Sequence, residues 1–486
     1  MLKTLRFSPI IGNRVCYNVA SMSAPVIVAR ADHPISRSQI DPDALKVLTR
    51  LNEFNYTAYL VGGSVRDLLL GRRPKDFDVG TSAHPYQIKK LFRNCWIIGR
   101  RFRLAHVKFG DKAIEVATFR QHVPAAPVDA APDDAEREVD ADSSAADAPA
   151  DPRDLLIHRD NTFGTPEEDA FRRDFTVNAL FYDIADRSII DYVGGLDDIR
   201  ARVIRSIGDP NERFQEDPVR MLRAVVLAAR LDFTLDGLVE AAIAAHRHRL
   251  AHASPARLIE EYYKVLRSGA AEKTFQALAR HRLLEPITPE LQQHADDEGF
   301  LDALDALDSY RQRFDGAPPT LTNPILLGTM VVPLGLMPTR ERPPAEADDA
   351  EAEEDALIAA PVVAGRRRRR TGPPEPLFKI GLLPIARRDT DRLRQLLAVQ
   401  RRLQDMEASP RAKRALLHRG PFEDALTWLE VHGRAPEIVE HWRGFIEASS
   451  LTPGGGHVPR GDDAAHTSRR RRRRGGRRRS RRPGDA

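Results

Sequence analysis

Asp76 and Asp78 stand one residue apart, a short distance after the turn Gly62-Gly63-Ser64, in the run YLVGGSVRDLLLGRRPKDFDV. Tyr59–Val61 predict a strand, Gly62 and Gly63 a turn whose bare backbone N–H groups can approach an anion, and Ser64–Leu70 the helix that leaves it. In a following strand, Asp76 and Asp78 project to one face and Phe77 to the other, because side chains alternate. A phosphate cradle beside two same-face carboxylates is the equipment of metal-assisted phosphoryl transfer. Mg²⁺ prefers hard oxygen ligands, typically one or two carboxylates plus substrate phosphates, and a metal pair can activate a hydroxyl while neutralising a leaving group. A lone D-x-D is more often a solvated strand edge; the glycine turn upstream reverses that balance.

Further residues extend the site. Glu115, between Ile114 and Val116, falls on the opposite face of its strand from two core residues and is a candidate third carboxylate for a metal. Arg172-Arg173-Asp174, followed by Asn178, gathers two guanidinium forks, a carboxylate and an amide; such groups suit phosphate oxygens and ribose hydroxyls. An ion pair within a helix is an equal reading of that cluster taken alone. Glu216–Arg223, EDPVRMLR, has the grammar of a helix start, with Asp217 as N-cap and Pro218 at the first helical position. Asp217, Arg220 and Arg223 then recur at three-residue spacing on one face that could read a base edge, or simply carry salt bridges.

The elements that must position these groups are unevenly distributed along 486 residues, enough for two to four domains. Ile40–Arg50 reads as a helix, Ile97–Phe109 and Ala113–Phe119 as a strand pair joined at Gly110-Asp111-Lys112, and Ala179–Ile184 with Ser188–Val193 as a hairpin before Gly194-Gly195. From Asp217 to about Leu336 the chain turns to Ala/Leu/Arg-rich helices, and Leu377–Ala448 is helical again; no internal repeat is evident. The expected class is α+β, with a mixed-sheet head followed by an all-α neck and body. The expected divisions are 1–33 (a disordered extension), 34–205 (head), 206–268 (neck), 269–337 (body), 338–376 (charged Pro-rich linker), 377–450 (C-terminal RNA-binding module) and 451–486 (disordered Arg-rich tail). Within the head, 124–153 reads as a disordered acidic insertion.

The net charge of +5 hides strong segregation. Eleven arginines fall between Arg469 and Arg482 and five more at Arg366–Arg370; removing those sixteen charges leaves −11. Asp129–Asp154 carries ten acids against two arginines, and Glu346–Asp355 carries seven acids. Such blocks commonly serve as interaction tails. The tail holding Arg469, Arg470 and Arg471 has charge but no aromatic residue, so it should give RNA salt-sensitive affinity without sequence choice. A nuclear-localisation reading of the same run is the lesser one.

Two cysteines, Cys16 and Cys95, speak against a disulfide framework and for a reducing compartment. The longest nearly apolar run, Ile325–Met337, is interrupted by Pro333 and too short for a membrane. Met1–Arg30 mimics a transit peptide in charge, yet a read-through ahead of a start at Met22 fits equally. A bacterial-type cytoplasm is the expected location.

In combination, LVGGSVRD with KDFDV, RRDFTVNAL, DYVGG and EDPVRMLRA resemble the class II nucleotidyltransferases, the bacterial poly(A) polymerases and tRNA CCA-adding enzymes, over roughly Tyr59–Leu231. LFRNC followed by IIGRRFRLAHV looks like the signature that separates the poly(A) polymerase branch, and the Arg-rich C-terminal region is similar to that branch. The resemblance implies attack of an RNA 3′-hydroxyl on the α-phosphate of ATP, with release of pyrophosphate and no template. It implies a polymerase β-like head, Mg²⁺ or Mn²⁺ at Asp76 and Asp78, and a triphosphate site at Gly62, Gly63, Ser64 and Arg66. Asp174 would complete the acidic site or hold the ribose, beside Arg172, Arg173 and Asn178. Asp217 and Arg220 would face the base with Arg223 in support, and Arg100 and Arg101 would touch RNA. The implied partners are RNA 3′ ends, ATP and the RNA-degradation machinery, with no oligomer required. The alternatives are CCA addition to tRNA and, in another class, a non-catalytic RNA-binding scaffold. Val226 stands where the family's helix usually continues with a basic residue, Gly80 where a larger one is usual, and the acidic insertion is unusually long.

Overall fold

The computed structural model describes residues 24–99, 103–110, 112–121, 162–337 and 379–450. Arg100, Arg101, the insertion 124–153, the linker 338–376 and the arginine-rich tail with Arg469, Arg470 and Arg471 lie outside the described residues.

The head is one mixed eight-stranded sheet in the order β1-β8-β7-β2-β3-β6-β5-β4. Its strands are β1 (Val26–Val28), β2 (Ala58–Val61), β3 (Asp78–Thr81), β4 (Cys95–Ile98), β5 (Leu104–Phe109), β6 (Lys112–Thr118), β7 (Leu180–Asp183) and β8 (Ile189–Asp191). All neighbours are antiparallel except β3 and β6, which run parallel. One face is covered by α1 (Pro42–Glu53), α2 (Gly63–Leu69) and α3 (Pro85–Leu91) over a core that includes Leu60, Val79, Ala105, Val107 and Val116. Helix α1 starts where expected for chemical reasons: Asp41 accepts the N–H groups of Asp43 and Ala44, and Pro42 opens the first turn.

The opposite face is divided. Over β2, β7 and β8 it is sealed by a small core of Val61, Phe119, Ala170, Phe181 and Ile190. Over β6, β5 and β4 it alternates outward with Glu115, His106, Lys108, Trp96 and Ile98, of which all but His106 are exposed.

Two expectations need correction. Ile97–Phe109 is not one strand: β4 ends at Ile98, Gly99 takes φ +85° and Arg103 φ +37°, and the chain returns as β5. Gly99, whose positive φ few other residues adopt, was the signal in the sequence for this reversal. Asp76 and Phe77 also precede β3 rather than lying within it. Their partner strand stops at Val61, opposite Asp78, because Gly62 turns the backbone away at φ +72°, so there is no ladder left for Asp76 to join. The alternation nevertheless persists, with Phe77 buried and both aspartates exposed.

Between sheet and helices come α4 (Pro166–Phe171), α5 (Gly195–Ala201), α6 (Pro210–Glu216) and α7 (Val219–Leu231). The DYVGG segment is a structural corner: the Asp191 carboxylate accepts the N–H groups of Val193, Gly194, Gly195 and Leu196, capping α5. From α7 onward one continuous apolar core runs through Met221, Leu258, Phe300, Leu326, Leu393 and Trp442. The boundaries expected near 269 and 377 therefore do not separate cores. Val226 packs against this core, and the space beside Gly80 is filled by Phe119, whose ring would lie 2.6 Å from an added Cβ.

Candidate active site

The two aspartates and the glycine turn meet at the border between the sealed and open halves of the sheet. Asp78 pairs across β2 with Val61, the last residue before Gly62. On its other side β3 and β6 register Val79 with Val116, and one step back sets Glu115 beside Asp78. Burial of its inner side, reinforced by the charges of Glu115 and Asp76 and opposed by Arg173, pushes the Asp78 carboxyl up to about 6. Like charges beside a carboxylate raise its cost of ionisation. Glu115 also faces His106, whose Nε2 lies 3.6 Å from Oε1, and Asp76 faces Lys75 at 3.6 Å.

Among the described residues no group of three or more His, Cys, Asp or Glu is placed to hold a metal ion, so Asp76, Asp78 and Glu115 do not close into the three-carboxylate set expected from the sequence. The donor chemistry still fits a hard divalent cation: the donors are all oxygens, and at Asp78 ionisation is penalised in the absence of a cation. Such a site expects its remaining ligands from substrate phosphates.

The turn is built differently from the expectation. Gly62 is required twice over: at φ +72° and ψ −132° it occupies backbone space open to glycine, and an added Cβ would lie 2.9 Å from Arg173 Nη1. Its N–H, however, donates to Leu180 O at 3.0 Å, so this amide is committed to the fold. Ser64 is buried and donates its hydroxyl to Val61 O at 3.0 Å. Arg66, 3% exposed, donates to Asp67 (2.8 and 2.6 Å) and to Asn178 Oδ1. Gly63 opens the short helix α2, whose first-turn N–H groups have no i−4 carbonyl.

The residue that organises the arginine pair was missed in the sequence. Asp169, 2% exposed on α4, accepts Arg172 Nε at 2.8 Å and Arg173 Nε and Nη2 at 3.1 and 2.9 Å. Burial alone would raise its carboxyl; the Arg173 and Arg172 guanidiniums override this and hold it below the ordinary value of 3.8. Three- and four-residue spacing from Asp169 was the available signal. Arg173 also donates to Asn178 O at 3.1 Å and lies 5.5 Å from the Phe181 ring centroid. The arginine pair is thus anchored rather than free, with Arg173 placed against Gly62 and within electrostatic reach of Asp78.

Asp174 is 8% exposed; its Oδ1 accepts Phe175 N at 2.9 Å, and Arg223 Nη2 lies 2.7 Å from Oδ2 without hydrogen-bond alignment. The face expected from Asp217, Arg220 and Arg223 is divided among separate partners, with none shared between the three residues. Asp217 caps Val219 N and receives a two-pronged fork from Arg257 at 3.0 and 2.7 Å. Arg220 donates to Glu216 and to Arg213 O, while Arg223 reaches Asp174. Burial would raise the Asp217 carboxyl, but the Arg257 fork and the Arg220 charge keep it low. Arg257, about forty residues downstream, and Arg213, which donates to both Arg172 O and Arg173 O at 2.7 Å, carried no signal in the motifs.

This sheet, glycine turn and acidic border define a nucleotidyltransferase head. Residues 58–205 match the family described as "Poly A polymerase head domain", 232–294 the "Probable RNA and SrmB- binding site of polymerase A", and 379–479 the "Polymerase A arginine-rich C-terminus". The chain belongs to the poly(A) polymerase and tRNA nucleotidyltransferase family. It is 47% identical over 275 residues to poly(A) polymerase I of Salmonella typhi, covering 56% of this chain and 55% of that protein. It is 36% identical over 245 residues to the CCA-adding enzyme of Bacillus subtilis, covering 50% and 55%. The chain thus spans about half the length of the curated relatives it matches. Among solved structures, the Bacillus stearothermophilus CCA-adding enzyme in complex with CTP aligns with TM-score 0.52 at 25% identity, over 84% of this chain and 83% of that one.

Proposed function

We propose that this chain adds AMP from ATP to RNA 3′ ends without a template, releasing pyrophosphate. The observation that carries the reading is the placement of Asp78 between the Val61–Gly62 turn and Glu115, with Asp76 near enough to raise its pKa. Similarity to poly(A) polymerase I at 47% identity supports adenylate as the added unit. A divalent cation, Mg²⁺ or Mn²⁺, held by Asp76 and Asp78 with Glu115 alongside, would supply charge neutralisation at the α-phosphate and activate the attacking hydroxyl.

The chain's own residues do the rest. Gly62 lets Arg173 lie flat against the turn, where its charge faces the acidic border. Asp169 fixes both arginine forks against the head, and Arg213 ties that segment to the neck. Asp174 and Asn178 are the ribose-side groups, and Asp217 with Arg220 presents the base-side edge, pre-set by Arg257 and Glu216. Arg66 stiffens the turn and lies behind it rather than at its surface. RNA is held further by Arg100, Arg101 and the tail at Arg469, Arg470 and Arg471. A cytoplasmic setting alongside the RNA-degradation machinery fits this chemistry; among the described residues no helix is long and apolar enough to cross a membrane.

CCA addition remains the second reading, supported by 36% identity to a CCA-adding enzyme. Purified protein given a generic RNA with ATP or CTP separates them. Long A-tracts with CTP ignored are expected; two cytidines and one adenosine on a truncated tRNA would overturn the proposal.

A further inference from the structure

A single cross-strand row connects the proposed catalytic border to the open edge of the sheet. Glu115 sits beside Asp78, His106 is paired with Glu115, and Trp96 is paired with His106. Paired residues share a face, so all four side chains leave the sheet on the same side. Three strand spacings of about 4.8 Å place Trp96 roughly 14 Å from Asp78.

Trp96 is unusual for a strand residue. It is 51% exposed, as is Ile98 on the same face, and Lys108 Nζ stands 5.3 Å from its ring centroid. The other two tryptophans, Trp428 and Trp442, are 8% and 0% exposed. An open aromatic ring beside a lysine, with no carboxylate on the row beyond Glu115, complements a polyanion that carries flat bases. That pairing of stacking surface and cation is how single strands are held without sequence choice.

Resting on the adenylyl-transfer reading, we propose that Trp96, flanked by Lys108 and Ile98, stacks a base of the RNA acceptor about four nucleotides upstream of its 3′ end, taking a stacked rise of about 3.4 Å per nucleotide. The 3′ terminus then lies over Asp78 and the strand runs outward across β6, β5 and β4. The platform holds the growing end without reading it.

The test uses full-length protein and an oligoadenylate of about ten nucleotides, within single-strand site sizes, ending in 3′-deoxyadenosine so that no transfer occurs. Binding should quench the fluorescence of the wild-type protein, because Trp96 is its exposed tryptophan. Trp96→Phe should keep affinity and lose that quench. Trp96→Ala should bind the decamer about five- to tenfold more weakly, yet bind an adenylate dinucleotide, too short to reach the ring, as wild type does. Unchanged melting of both variants excludes a folding defect. Absence of quenching in the wild type, or equal decamer binding by Trp96→Ala, overturns the platform. Wild-type protein that binds and quenches but never transfers AMP from ATP sinks the functional reading instead, and the two failures are separable.

Discussion

Asp169→Asn removes one negative charge from a group that is 2% exposed and serves two guanidiniums at once. Arg172 and Arg173 would keep their charges and lose their counter-ion. Breaking a buried pair by removing one partner typically costs about 3–5 kcal/mol. The arginine side chains are 29% and 20% exposed, so they can partly recover hydration, and about 3 kcal/mol is the expected loss. Against a total of about 5–15 kcal/mol the head should still fold, melting about 6–12 °C lower. Because the folded pKa of Asp169 is depressed, its stabilisation is complete above the unfolded value near 3.8 and disappears as pH falls through the folded value. The gap between variant and wild type should therefore be full at neutral pH and shrink in strong acid. Thermal melts across pH, with KM for ATP measured in parallel, check both halves. A variant that melts with wild type at pH 7, or binds ATP unchanged, refutes the claim that Asp169 holds the arginine pair in place.

Gly62→Ala should cost about 2 kcal/mol from backbone strain alone and displace Arg173, cutting incorporation about tenfold or more, as read in a primer-extension assay. Asp78→Asn should abolish incorporation while leaving RNA affinity nearly intact, since the carboxylate is proposed to serve the cation and not the RNA. With Mg²⁺ limiting, wild-type activity should fall as pH drops through about 6, where the proton claims the Asp78 carboxylate, and added Mg²⁺ should move that midpoint downward; a midpoint indifferent to Mg²⁺ would count against metal at this residue. Arg257→Ala releases Asp217 from its fork, so the ratio of kcat/KM for ATP over CTP should shrink; an unchanged ratio would remove Asp217 from base selection.

What the sequence determined by itself was local. Val61, Gly62 and Asp78 were legible because a glycine turn between apolar residues and an alternating acid pattern are short-range consequences of backbone sterics and strand period. The same holds for Asp217, which accepts Val219 N, although the helix opens one residue later than expected, with Pro218 as its N-cap, and for the hairpin that ends in Gly194-Gly195. What only the tertiary structure decided was pairing across distance. The sequence could not say that Arg213 would hold the carbonyls of Arg172 and Arg173, that Arg257 would close on Asp217, or that the Gly62 N–H would be used by Leu180. It also could not place Trp96 on a row with Asp78, because the β4-β5-β6 meander reaches Asp78 only through the parallel pairing of β3 with β6, two strands that are remote in the chain. Hydrogen bonds and charge pairs between remote segments form only after that burial brings them together, and their choice of partner is written in the packed fold.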